Sequence, residues 1–310
     1  MSGAHDIKTL VDPITGRPVL MAPARRNRPI QTADLDGAAP CPFCAGSEGL
    51  TPPEVDAERP GGNAADGPGW VARAFPNLYP AAVAHEVIAE GATHTVQPAA
   101  LTVDVWEAAL RLHRRRIQAL EARPGIVCAF LFKNVGLRAG ASIAHNHTQI
   151  LGLPALPPRL ELMVQRLHGA KPCPLRADVA AAEGDGRVVF ANEHYVVHSP
   201  ATPKLPFETW LSPRDGDEDF LSPPDEGAFA GALHAAFTAF DAAFGAPPFN
   251  VYLLRDPRRR FAWHVELQPR TGNIAGLELG GDMYINSIPA TVTADKLRAG
   301  LAQRATGTRE

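Results

Sequence analysis

Three things are scarce in this 310-residue chain: cysteine, net charge and long apolar runs. Four cysteines, Cys41, Cys44, Cys128 and Cys173, are too few to hold a chain of this length by disulfides. A formal net charge of -3 gives no field that would draw the whole protein to nucleic acid or to an anionic membrane. No apolar run approaches the ~20 residues of a membrane span, and Met1-Ser2-Gly3-Ala4-His5-Asp6 lacks the pattern of a signal peptide. The expectation is a cytoplasmic globular protein with neither nucleic acid nor membrane as partner. A hydrophobic content of 45% and a charged content of 20% allow a sizeable core, in one large domain or two modest ones.

What is present centres on Ser142-Ile143-Ala144-His145-Asn146-His147-Thr148-Gln149-Ile150. An extended backbone from His145 to Ile150 would put His145, His147 and Gln149 on one face. Two imidazoles and an amide are costly to bury without a task. An uncommitted imidazole is a good nucleophile toward phosphorus near neutral pH, because much of it is unprotonated there. Gln149 could donate its amide to a phosphate oxygen, and Asn134, Ser142 and the Gly136–Gly140 backbone could cradle other oxygens. The chemistry implied is phosphoryl or nucleotidyl transfer through a covalent phosphohistidine.

Cys41-Pro42-Phe43-Cys44 lies between Ala38-Ala39-Pro40 and Ala45-Gly46-Ser47, without the strand and helix of a redox motif, so it reads as a metal-binding turn. It supplies two ligands. With His145 and one further histidine, His85 or His94, it would close a Cys2His2 zinc set, structural because no position stays open. Arg25, Arg26 and Arg28 read either as a solvated basic turn or as a phosphate grip. Arg258–Arg260 carry the same pair of readings.

Along the chain, residues 51–69 read as an aperiodic surface loop, Trp70 to Phe75 and His85 to Glu90 as strands, and Val105 to about Ala122 as a helix capped at Thr102 or Asp104. The apolar run Ile126 to Phe132 predicts a central strand. After a linker at Pro154 to Pro158 and a helix over Arg159 to His168, the order begins again. A hairpin turns at Asn192-Glu193, a strand spans Pro206 to Pro213, a helix Asp225 to Phe244, and strands Phe249 to Leu254 and Ala262 to Gln268. A last strand near Asp282 to Asn286 leads to a short helix capped by Thr293. The shared order predicts an α+β fold of two antiparallel sheet-plus-helix units related by internal duplication, over residues 1–156 and 157–310.

Seven pieces in this order resemble the galactose-1-phosphate uridylyltransferase family of the histidine-triad superfamily, including its ADP-glucose phosphorylase-like relatives. They are Arg25-Arg26-Asn27-Arg28-Pro29, Cys41-Pro42-Phe43-Cys44-Ala45-Gly46, Phe75-Pro76-Asn77, Asn134 with Ser142, His145-Asn146-His147-Thr148-Gln149, Pro206-Phe207-Glu208-Thr209-Trp210 and Tyr284-Ile285-Asn286. Each is weak alone, and together they span nearly the whole chain.

The resemblance implies histidine-triad units and a ping-pong reaction. His147 would attack the α-phosphorus of a nucleotide sugar, release a sugar 1-phosphate, and pass the nucleotidyl group to an acceptor phosphate. Gln149, Ser142 and Asn134 would hold phosphates, with Arg25, Arg28 and Asn77 nearby, and zinc would sit on Cys41, Cys44, His94 and His145, with His85 the rival to His94. Family members commonly pair into homodimers, which is carried as an implication. Two departures stand out. Asn146 lies where many uridylyltransferases have proline and where the ADP-glucose-cleaving relatives carry a small polar residue. Ala262-Trp263-His264 lies where some members carry a second metal-binding His-x-His, so no iron is expected there. Uridylyl transfer is the leading expectation and ADP-glucose phosphorolysis the rival. A zinc-stabilised nucleotide-binding protein without turnover is the alternative of another class. A zinc finger is excluded by the about 100 residues between Cys44 and His145, far beyond finger spacing.

Overall fold

The computed structural model describes residues 7–27, 40–214 and 218–307. Twelve strands run β1 Lys8–Val11, β2 Pro18–Met21, β3 Asp56–Glu58, β4 Ala72–Pro76, β5 Ala84–Glu90, β6 Cys128–Val135, β7 His147–Leu153, β8 Val188–Ala191, β9 Tyr195–His198, β10 Thr209–Pro213, β11 Phe249–Leu254 and β12 His264–Pro269. Six helices run α1 Val103–Glu121, α2 Pro158–Leu167, α3 Pro174–Gly184, α4 Glu226–Phe244, α5 Gly276–Gly281 and α6 Ala290–Thr306. β1 and β2 form a hairpin of their own.

The other ten strands form one antiparallel sheet in the order β3-β4-β5-β7-β6-β11-β12-β10-β9-β8. From either edge inward the same pattern appears, three consecutive strands, then the fifth, then the fourth. Each half also places a 19-residue helix, α1 or α4, between its third and fourth strands. The halves meet where β6 pairs with β11, Phe132 opposite Tyr252 and Asn134 opposite Asn250. This is the mixed helix and antiparallel-sheet fold that the sequence implied. We propose that residues 1–156 and 157–310 are duplicated units, although hydrogen bonding crosses between them without a break.

Both long helices cover one face of the sheet. The side chain of Thr102 accepts the amide of Val105 and caps α1; Asp225 caps α4 through Ala228. Trp106, Leu112 and Ile117 of α1 share a core with Ile88 and Ile150 and with Phe229, Phe237 and Phe240 of α4. Each such side chain contributes about 1.5–3 kcal/mol by leaving water. On the opposite face α2 packs Leu160 and Leu167 against Phe130, Tyr252 and Leu254. That cover extends over the second half, and the corresponding face of β5 and β7 is where the site forms.

Four local expectations change. Residues 51–69 are ordered by charge rather than periodicity: the buried Arg73 guanidinium donates to Glu54, Thr51 and Asp66, and β3 pairs with β4. The run from His145 is not all strand, because β7 begins at His147. No strand forms at Asp282 to Asn286; α5 ends there, Asp282 adopts φ +51, and Met283 and Ile285 stay exposed with no strand to pair against. The last helix is longer than expected and begins after Pro289, with Thr293 buried inside it rather than capping it.

Gly152 of β7 sits opposite Ala84 of β5. A Cβ at Gly152 would lie 2.9 Å from Ala84 Cβ and 2.6 Å from Ile126 Cδ1. Gly152→Ala should therefore cost about 1–3 kcal/mol by overpacking, and adding Ala84→Gly should recover part of it. Urea unfolding of the two variants checks this, and an unchanged midpoint for Gly152→Ala would refute the crowding.

Candidate active site

The Cys41–Cys44 turn closes through Cys44 N–H donating to Cys41 O, and Ala45 N–H then donates to Ala92 O. Buried Glu48 braces it, accepting from the Gly46 amide and the Trp70 indole. The turn thereby meets the segment that follows β5 and carries His94. Ligand atoms of Cys41, Cys44, His94 and His145 all lie within 4.8 Å of one another. The sulfur-to-nitrogen separations are 3.7 Å (Cys41 to His145), 3.6 Å (Cys44 to His94) and 3.5 Å (Cys44 to His145). A tetrahedral metal bonded at ordinary lengths sets sulfur and nitrogen at about 3.6 Å, so the set fits a structural ion.

The His145 Nε2–H donates to Gly91 O at 2.9 Å, which leaves Nδ1 with its lone pair toward the cluster. Burial holds His145 down at about 4, so it stays neutral, as a ligand must. Burial and the neighbouring Cys41 sulfur push the Cys44 thiol up to about 11. A metal bound there would displace the thiol protons and relieve the repulsion between the two sulfurs. His85, the rival fourth ligand, lies elsewhere, with its Nε2 3.0 Å from Gln149 Oε1.

His147 opens β7 two residues beyond the cluster. Its Nδ1–H donates to the carbonyl of His145 at 2.7 Å, so the neutral ring carries its lone pair on Nε2. Burial holds this imidazole down at about 4. Phe43, from the metal-binding turn, packs edge-on against the ring with centroids 5.2 Å apart. His147 and Gln149 line a cavity of about 420 Å³ with Ser142 and Asn77. Most of its other walls are apolar, among them Phe43, Phe75, Leu78, Val87 and Ile143. A mainly apolar slot with a few polar side chains suits a ligand that joins a flat ring to polar groups.

Other expected residues fall further out. Asn134 faces β11, its Oδ1 accepting from Asn250 Nδ2 at 2.8 Å, and Asn250 also donates to Ala139 O, which pins the glycine loop. Arg25 donates to the carbonyl of Tyr79, behind the cavity wall. Arg28 lies outside the described residues. The Arg258–Arg260 turn borders a separate cavity, with Arg260 on Asp256.

Sequence reasoning missed the support behind β7. Glu90, fully buried, accepts from Thr148 Oγ1 and Lys133 Nζ, and His113 Nε2 lies 3.0 Å away. Lys133 Nζ also donates to the carbonyl of His147 at 3.1 Å, and Glu90 N–H donates to Asn146 O at 3.0 Å. The ion pair thus holds His147 and Thr148, and the backbone of Glu90 holds Asn146. The signal was available: Glu90 closes β5, and Lys133 interrupts the apolar run of β6.

No family model matches the chain. It is 26% identical to ADP-glucose phosphorylase of Arabidopsis thaliana in a gapped alignment 321 positions long that covers 89% of this chain and 88% of that one. It is 24% identical to galactose-1-phosphate uridylyltransferase of Thermotoga maritima over 312 residues, 93% and 96% of the two chains. A solved ADP-glucose phosphorylase from Arabidopsis thaliana with bound ADP-glucose superposes with a TM-score of 0.75 at 26% identity, over 94% of this chain and 98% of that one. A solved uridylyltransferase shares the fold, with a TM-score of 0.79 at 22% identity over 96% and 99%.

Burial alone would raise the Glu90 carboxyl, but Lys133 and His113 hold it down at about 2, below its ordinary 4.5. The unfolded chain therefore takes up this proton first, and the stability from Glu90 is lost as pH falls from about 4.5 toward 2. The charge-free double variant Glu90→Gln/Lys133→Met avoids a stranded buried charge and should unfold in urea with a shallower pH dependence below 5. An unchanged dependence would contradict the ion pair.

Proposed function

We propose that this homologue of the ADP-glucose phosphorylases and galactose-1-phosphate uridylyltransferases moves a nucleoside monophosphate between a nucleotide sugar and a phosphate-bearing acceptor. The observation that carries the reading is the state of His147. Its Nδ1 is committed to His145 O, while Nε2 has no hydrogen-bond partner among the described residues of the cavity that His147 lines.

The lone pair on Nε2 attacks the α-phosphorus. The bond from phosphorus to the bridging oxygen breaks, and the sugar 1-phosphate leaves with those electrons. That leaving group is a stable anion, so orientation and charge stabilisation suffice without a strong general acid. An oxygen of the acceptor then attacks the same phosphorus, and the nitrogen–phosphorus bond breaks to return the free imidazole. Gln149 and Ser142 donate to the phosphate oxygens, and Asn77 meets the nucleotide. Asn134 acts through the glycine loop, and Arg25 through the Tyr79 segment. Cys41, Cys44, His94 and His145 would hold zinc as a closed, structural site, keeping Phe43 against the nucleophile. Thiolate ligands of this kind suit a reducing cytoplasm. A homodimer is part of the same reading.

For base and acceptor, uridylyl transfer to a hexose 1-phosphate is the first reading. The second is phosphorolysis of ADP-glucose, favoured by the 26% identical Arabidopsis relative and by Asn146 between the histidines.

Incubating the protein with UDP-glucose or ADP-glucose without acceptor, followed by intact mass, should give a UMP or an AMP adduct. The adduct identifies the donor. His147→Ala should take no label and lose turnover by at least about 10⁴-fold. An adduct that survives in His147→Ala, or no adduct from either donor, would overturn the covalent route.

A further inference from the structure

We propose that His85 is a positioning residue for the transfer, acting by fixing which end of the Gln149 amide meets the phosphate. This rests on the reading above, in which Gln149 donates to a phosphate oxygen.

The argument begins with one backbone bond. Ala81 N–H donates to His85 Nδ1 at 3.0 Å, so Nδ1 is an acceptor and the neutral ring carries its hydrogen on Nε2. His85 Nε2 lies 3.0 Å from Gln149 Oε1, and with that hydrogen it donates. The oxygen of Gln149 is thereby occupied. Its NH2 group has no hydrogen-bond partner among the described residues, in a residue that lines the cavity beside His147. A terminal amide turns between two nearly equivalent orientations. Turned the other way, Gln149 would present an oxygen to an anionic phosphate, repelling the group it is meant to hold.

Asn77 supports the same assignment. Its Oδ1 accepts from Tyr79 N–H at 2.8 Å, which puts Nδ2 3.3 Å from His85 Nε2, two donors face to face. Asn77 therefore satisfies nothing on His85, and its NH2 is likewise left to the cavity. One imidazole, 5% exposed and enclosed by the turn between β4 and β5, sets the polarity of that wall. The register makes this available, since β5 is the hydrogen-bonded neighbour of β7 and Val87 lies opposite Gln149. Chain order alone placed His85 among the metal candidates.

The test is a double-mutant cycle on the single-turnover labelling of His147, using whichever nucleotide sugar labels the wild type. His85→Ala should slow labelling by roughly 10- to 100-fold, the usual cost of losing an outer-shell partner, with little change in the donor concentration at half-saturation. Gln149→Ala should do the same, and the double variant should be no slower than either. His85→Gln, which keeps a donor at the position of Nε2, should recover most of the rate. Additive losses, or an unchanged rate in His85→Ala, would overturn the proposal.

A second measurement does not depend on turnover. Long-range 1H–15N spectra of the unliganded protein should show His85 as the Nε2–H tautomer; the Nδ1–H tautomer would overturn the proposal. If the wild type takes no label, the proposed function fails while the tautomer still decides the role of His85.

Discussion

The hydrogen bond from His147 Nδ1 to the carbonyl of His145 is the constraint on which the site depends. It selects the tautomer, aims the ring, and links the candidate nucleophile to a residue whose own side chain joins the Cys41, Cys44 and His94 cluster. The Cys41–Cys44 turn, about 100 residues upstream, thus reaches the strand of His147 by two routes. One passes through the contacts of both cysteine sulfurs with His145, the other through Phe43, which lies against the His147 ring. A structural ion placed there would orient the chemistry without entering it.

The same strand is held from behind by a buried ion pair, an arrangement that is expensive unless both charges are satisfied. Glu90 and Lys133 meet that condition by bonding Thr148 and the His147 carbonyl as well as each other. Sequence reasoning expects such charges on the surface. Their burial beneath α1 is intelligible only once β5, β6 and β7 are known to be adjacent. Asn146 lies buried between the two histidines. Neither polar atom of its side chain has a hydrogen-bond partner among the described residues.

How much was legible follows the range of the interactions. His145-Asn146-His147-Thr148-Gln149 and Cys41-Pro42-Phe43-Cys44 are local patterns whose chemistry lies in their spacing, so both could be read from the chain. The repeated order of strands and helices was visible because α1 and α4 carry long apolar faces and clear caps at Thr102 and Asp225. The task of His85 was hidden because it depends on which strand pairs with β7. The strand expected near Met283 failed for the converse reason: an apolar stretch forms no strand without an edge to join.

The central claim is that His147 reacts through Nε2 because Nδ1 is already committed. The most direct test is the position of the phosphorus–nitrogen bond in labelled enzyme, read by 15N–31P coupling in protein carrying 15N-histidine. A phosphoramidate on Nε2 of His147 is the predicted result. A bond to Nδ1, or to any other residue, would contradict the account.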